Sequence, residues 1–89
     1  MIMSNFANET MTPGEKALEL WAKEIKSDGI WTSANDFPTE EAANLFVKWL
    51  EGNGYAHQGI HKHISKECWN RLKATGVDSG EQAWSVRFR

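Results

Sequence analysis

The stretch TEEAANLFVKWLEG, residues 39–52, restricts the fold more than any other part of this 89-residue chain. Wound at 100° per residue, Ala42, Leu45, Phe46, Trp49 and Leu50 cover more than half of a helix circumference, with Val47 at the margin. A helix this apolar has to be covered by other elements, so it is expected at the centre of the core. Pro38, the capping hydroxyl of Thr39 and the first-turn acids Glu40 and Glu41, which suit the positive end of the helix dipole, mark its start. Gly52 and Gly54 stop it.

The covering elements are read in the same way. In TPGEKALELWAKEIKSDG, residues 12–29, Thr12 caps, Pro13 takes the first helical position and Glu15 completes a capping box. Leu18, Trp21, Ala22 and Ile25 form the expected buried stripe, Glu15, Glu19, Lys23 and Lys26 the wet face, and Gly29 the end. Ile30, Trp31 and Thr32 favour extended backbone, and SANDFP is expected to turn. Between Tyr55 and Ile64 the alternation is weak, with Gly59 a hairpin tip or a loop. Ser65 caps a third helix whose inward face is Ile64, Cys68, Trp69 and Leu72, ended by Gly76. VDSGEQ is a turn by composition. The closing AWSVRFR alternates strictly, with Trp84, Val86 and Phe88 on one side and Ser85, Arg87 and Arg89 on the other, the pattern of a half-buried strand. The expected fold is α+β, three helices with a short antiparallel sheet, preceded by a loosely held tail over residues 1–11 and occupying residues 12–89 as one domain.

With 40% hydrophobic and 25% charged residues, the composition excludes a disordered chain, and no apolar run approaches the roughly 18 residues that span a bilayer. A single cysteine forms no internal disulfide, and no cationic-then-apolar leader opens the sequence, so the expected location is the cytoplasm. The net charge of −2 is unevenly distributed. Residues 1–50 hold eight acids against four bases, whereas residues 51–89 hold six bases against four acids. Only the second half is suited to a polyanion.

His57, His61, His63 and Cys68 are the residue types of a structural zinc site, but they lack the paired spacing of a finger and Cys68 falls on an apolar stripe. No metal or other cofactor is therefore expected. Catalysis is not expected either: an apolar surrounding raises a thiol's pKa instead of activating it, and no phosphate-binding glycine loop is present. Helix positions 64–75 point to nucleic acid. Lys66, Asn70 and Lys73 are expected together on the side opposite Trp69 and Leu72, and Glu67 is placed to pair with Arg71 one turn on. Lysines suit phosphates and asparagine pairs with adenine. The expected grip on nucleic acid is by Lys66, Asn70, Arg71 and Lys73, with Lys62, Arg87 and Arg89 as auxiliary contacts. The competing reading is a protein that docks on a host factor, as small phage or mobile-element proteins do, with Trp31 and Trp84 as anchors. The alternating strand at the chain end also suggests a homodimer through its edge.

The order helix, extended piece, helix, helix, strand over residues 13–89 resembles the winged helix-turn-helix domains of small bacterial and phage regulators, which implies DNA binding. Two alignments follow. In one, IWTS is the first strand, ANDF a short helix, TEEAANLFVKWLEGNGY the recognition helix and YAHQGIHKHIS the wing; its exposed residues Glu40, Glu41, Asn44, Lys48 and Glu51 would repel phosphate. In the other, residues 64–75 are the recognition helix, reached by a longer linker than the motif uses.

Overall fold

The computed structural model describes residues 11–77 and 80–89. Residues 1–10 of the expected tail over residues 1–11, and part of the VDSGEQ turn, lie outside them. In chain order the elements are α1 (Pro13–Glu19), β1 (Glu24–Ser27), β2 (Thr32–Phe37), α2 (Glu40–Gly52), β3 (His57–Ile64), α3 (Lys66–Thr75) and β4 (Gln82–Phe88). The four strands form one antiparallel sheet in the order β1-β2-β4-β3. The class is α+β, three helices on an antiparallel sheet.

α2 lies against one face of that sheet and is the centre of the core, as its apolar circumference requires. Phe46 and Leu50 are fully buried, with Ala42 and Ala43 beside them. The Phe46 ring meets Phe37 at 5.4 Å and Phe88 edge-on at 5.4 Å, and stacks near Trp49 at 6.4 Å. Ala34 and Val86 complete the sheet side, and Ala17, Leu20 and Ala22 close the other. Leu45, expected inside, is half exposed. Thr39 caps as expected, accepting from the Ala42 N–H at 3.0 Å.

The first helix starts as expected, with the reciprocal capping box of Thr12 and Glu15, but ends at Glu19, ten residues before Gly29. The Ala22 N–H donates to Ala17 O at 3.0 Å and the Trp21 N–H to Leu18 O at 3.0 Å, the paired bonds of a Schellman turn. Trp21 occupies the left-handed position of that turn, at φ 72°, where glycine is usual, so no local signal announces the stop. Continuing the helix would leave β2 without a partner on that side; as β1, Ile25 sits opposite Ala34 and packs on the core. Leu18 and Trp21, expected in a buried stripe, are instead 53% and 66% exposed.

The expected turn at SANDFP is strand β2. Ala34 opposes Val86 and Phe37 opposes Trp84, so one extra residue bulges from β2, and Asp36 takes φ 64° there. The bulge makes Ala34 and Phe37 both point into the core at a spacing of three, which hides the strand's period of two. The turn lies earlier. The Asp28 carboxylate accepts the N–H groups of Ile30 (2.9 Å) and Trp31 (2.8 Å), and those amides together with Arg87 hold its pKa below the usual range. Gly59 is likewise neither tip nor loop but a bulge at φ 80° inside β3. ANDF is thus strand, not the short helix that one of the two alignments assigned it.

β4 behaves as its alternation predicts, with Val86 and Phe88 buried and Arg87 and Arg89 exposed. It lies inside the sheet, bonded to β2 on one side and β3 on the other. The route to a homodimer through its edge is therefore closed, because both of its backbone rows are already paired; the sheet's edges are β1 and β3.

Candidate functional site

The cross-strand register divides the sheet into the core face under α2 and an outer face. Glu24 opposite Asn35, Lys26 opposite Ser33, Ser33 opposite Arg87, His61 opposite Ser85 and His63 opposite Ala83 all point outward, because directly paired residues share a face. Polar and charged side chains dominate it. A row of hydrogen bonds crosses it: Ser33 Oγ donates to Asn35 Oδ1 at 3.0 Å, and Asn35 Nδ2 to Glu24 Oε1 at 3.1 Å.

α3 is fastened to the β3 end of this face by its first turn. Ser65 is the cap, its Oγ accepting from the Cys68 N–H at 3.1 Å and donating to Glu81 Oε1 at 2.6 Å. Asp36 Oδ2 accepts the Lys66 N–H at 2.8 Å, so the carboxylate at the β2 bulge satisfies a second helix-start amide. Gly76 closes the helix in the left-handed conformation. Along these ten residues only Cys68 is fully buried and Leu72 partly so. Trp69, expected to face inward, is half exposed; it stands 60° around the helix from Leu72 and beside Lys66 and Lys73.

Trp69 walls a depression of about 380 Å³, open to solvent, whose other sides are Glu24, Asn35, Asp36, His63, Lys66 and Ser85. In it His63 Nδ1 lies 2.8 Å from Ile64 O and Nε2 lies 2.6 Å from Ser85 Oγ. In the neutral ring the carbonyl requires the proton on Nδ1, so Ser85 donates to Nε2. Asp36 Oδ1 is 3.8 Å from that same nitrogen, beyond hydrogen-bond reach. The three residues are not a nucleophilic relay, in which a carboxylate would orient the ring through its other nitrogen; they form a hydrogen-bonding floor. Nothing local in the sequence joins Asp36, His63 and Ser85, and the faint signal was the outward alternation of His61 with His63 and of Ser85 with Arg87.

The structure brings Lys66, Asn70 and Lys73 together on the solvent side of α3 and separates the other expected contacts from them. Lys66 Nζ bonds Glu24 Oε2 at 3.0 Å, and this ammonium, ahead of Asn35, holds the Glu24 carboxyl below its usual pKa. Arg71 reaches Glu81 at 3.6 Å, not Glu67. Glu67 is taken by Lys23 at 2.7 Å, which lowers the carboxyl's pKa and raises the amine's. Lys73 has no ion-pair partner among the described residues. Lys62 points to the opposite face, 6.0 Å from the Trp84 ring. Arg87 and Arg89 lie at the far end of β4: Arg87 pairs with Asp28 at 3.0 Å and Arg89 sits over the Trp31 ring at 4.6 Å. The acidic first half thus supplies partners for Lys66 and Arg87.

Trp31 and Trp84, the expected protein anchors, are both partly buried; Trp21 and Trp69 are the exposed tryptophans. The residues weighed for a metal are dispersed. His57 Nε2 bonds Glu51 Oε2 at 2.9 Å, His61 and His63 face outward, and Cys68 is buried as a small apolar residue would be. No group of three or more His, Cys, Asp or Glu side chains is gathered for a metal among the described residues, and no helix among them is long and apolar enough to cross a membrane. The chain matches no protein-family model, no curated protein and no solved structure.

Proposed function

We propose that this chain is a nucleic-acid-binding domain that works by contact and not by chemistry, with the solvent side of α3 as its surface. The observation that carries the reading is that α3 contributes one fully buried side chain to the fold while presenting Lys66, Asn70 and Lys73 beside a half-exposed Trp69. A helix that adds so little to the core is available as a contact surface. Lysines suit phosphates, asparagine hydrogen-bonds base edges, and an exposed indole stacks on bases. The pair of Lys66 with Glu24 is open to solvent and contributes little, so a phosphate can replace the carboxylate. In the proposed likeness to winged helix-turn-helix regulators, α3 takes the place of the recognition helix, and the lone buried cysteine suits a reducing cytoplasm.

The test is fluorescence anisotropy with labelled duplex and single-stranded oligonucleotides across a salt series. Log affinity should fall linearly with log salt, and Lys66→Ala and Lys73→Ala should each reduce the slope by about one. Absence of binding by micromolar protein at low salt overturns the reading. A second reading, docking on a host protein, is favoured by the exposure of Trp21 and Leu18, which stand three residues apart at the end of α1. Capture of a host protein that is lost in Trp21→Ala would support it.

A further inference from the structure

We propose that the depression between α3 and the outer face of the sheet receives one unpaired nucleobase carrying an exocyclic amino group, adenine or cytosine in preference to thymine or uracil. The inference rests on the nucleic-acid reading and names the form of strand that the surface takes.

Its volume of about 380 Å³ falls within the range of roughly 300–1,000 Å³ typical of small-ligand sites, and Trp69 supplies one flat apolar wall. The polar sides decide the chemistry. With the His63 ring neutral, the Ser85 hydroxyl donates its hydrogen bond to Nε2, so its oxygen offers only lone pairs to a ligand. Asp36 Oδ2 is engaged by the Lys66 N–H, whereas among the described residues Oδ1 has no partner closer than the 3.8 Å to His63. Glu24 receives Asn35 and Lys66 on separate oxygens, leaving a second lone pair on each. Apart from the second Nδ2 hydrogen of Asn35 and the Lys66 ammonium at the rim, the vacant hydrogen-bonding capacity is that of acceptors, and two of the three accepting groups are carboxylates. Such a floor repels a phosphate and prefers N–H donors. An amino-bearing base offers donors on its edge and a planar face for the indole, while Lys66 at the rim and Lys73 on the same helix side hold the backbone outside. A base within a duplex has its amino group engaged by its partner and its faces covered by neighbours, so the occupant has to be unpaired.

The experiment uses the whole chain with three labelled twelve-nucleotide strands: all thymidine, the same with one central deoxycytidine, and the same with a central abasic site. The deoxycytidine strand should bind at least about fivefold more tightly than the other two, exceeding the abasic strand by one stacked base and the thymidine strand by the hydrogen bonds of one amino group. Trp69→Ala should abolish the preference over the abasic strand while leaving the salt slope on the thymidine strand unchanged, and Trp69→Phe should restore part of it. Equal affinities for all three strands, with a normal salt slope, overturn the base site and leave the nucleic-acid reading standing. Absence of binding to any strand overturns both. Displacement of the deoxycytidine strand by a short arginine-containing peptide, with the peptide's own binding lost in Trp69→Ala, overturns the base site in favour of one for a basic side chain.

Discussion

Asp36 joins the sheet to α3, and replacing it tests how that helix is held. Its carboxylate accepts the Lys66 N–H at 2.8 Å from a residue only 7% exposed, and a buried hydrogen bond to a charged group contributes about 1.5–3 kcal/mol. Its backbone is left-handed at φ 64°, which costs an ordinary L-residue about 1–2 kcal/mol and aspartate or asparagine less. Asp36→Ala loses the bond and leaves a worse residue in the strained conformation, for a total of about 2–4 kcal/mol. Asp36→Gly loses the bond but relieves the backbone, and Asp36→Asn keeps a neutral acceptor and tolerance of the conformation. Each should cost about 1 kcal/mol. Because Cys68 is the only fully buried side chain of α3, the loss should appear first as local opening. In hydrogen exchange by NMR, the amides of Trp69 and Leu72 in Asp36→Ala should exchange at least about thirtyfold faster, while those of Phe46 and Val86 change little. Equal acceleration at Val86, or an alanine variant no worse than the asparagine one, would refute this account of the attachment.

Trp21 makes a second backbone test. Trp21→Ala and Trp21→Gly remove the same ring, but only glycine is at ease at φ 72°, so Gly should exceed Ala in stability by about 0.5–1 kcal/mol, or about 2–8 °C in melting temperature. An alanine variant as stable as the glycine one would show that the Schellman turn is not strained. The pH dependence follows from the ion pairs. Glu24, Asp28 and Glu67 have carboxyl pKa values below their unfolded ones, so their stabilisation is present above about pH 4 and is lost as pH falls through the folded values. Lys23 is raised, so its contribution is present below about pH 10 and lost as pH rises further. The urea midpoint should fall on acidification below about pH 4, less steeply in high salt because the pairs are exposed. A midpoint that rises between pH 5 and pH 3 would contradict the assignment.

The helix starts were legible because their signals are local. Thr12 with Glu15, Thr39, and Ser65 each satisfy amides within three residues of themselves, and the structure keeps all three caps. The apolar circumference of residues 42–50 likewise announced the centre of the core, and the strict alternation of residues 83–89 announced β4. Three features escaped. α1 ends on a left-handed tryptophan, β2 is written in the turn-like residues Ser33, Asn35 and Asp36, and β3 runs through Gly59. In both strands a bulge adds one residue, which shifts the inward positions and erases the alternation by which a strand is recognised.

The candidate site divides along the same line. Lys66, Asn70 and Lys73 share a side because helical spacing alone puts them there. That Lys62, Arg87 and Arg89 stand elsewhere, that Glu24 and Asp28 come to Lys66 and Arg87, and that Trp69 overlooks Asp36, His63 and Ser85 follow from strand order and register. Caps, stripes and alternation act over a few residues and are written in the chain. Which faces meet depends on pairing between segments tens of residues apart, and that pairing is settled by covering Phe46 and Leu50 on all sides at once.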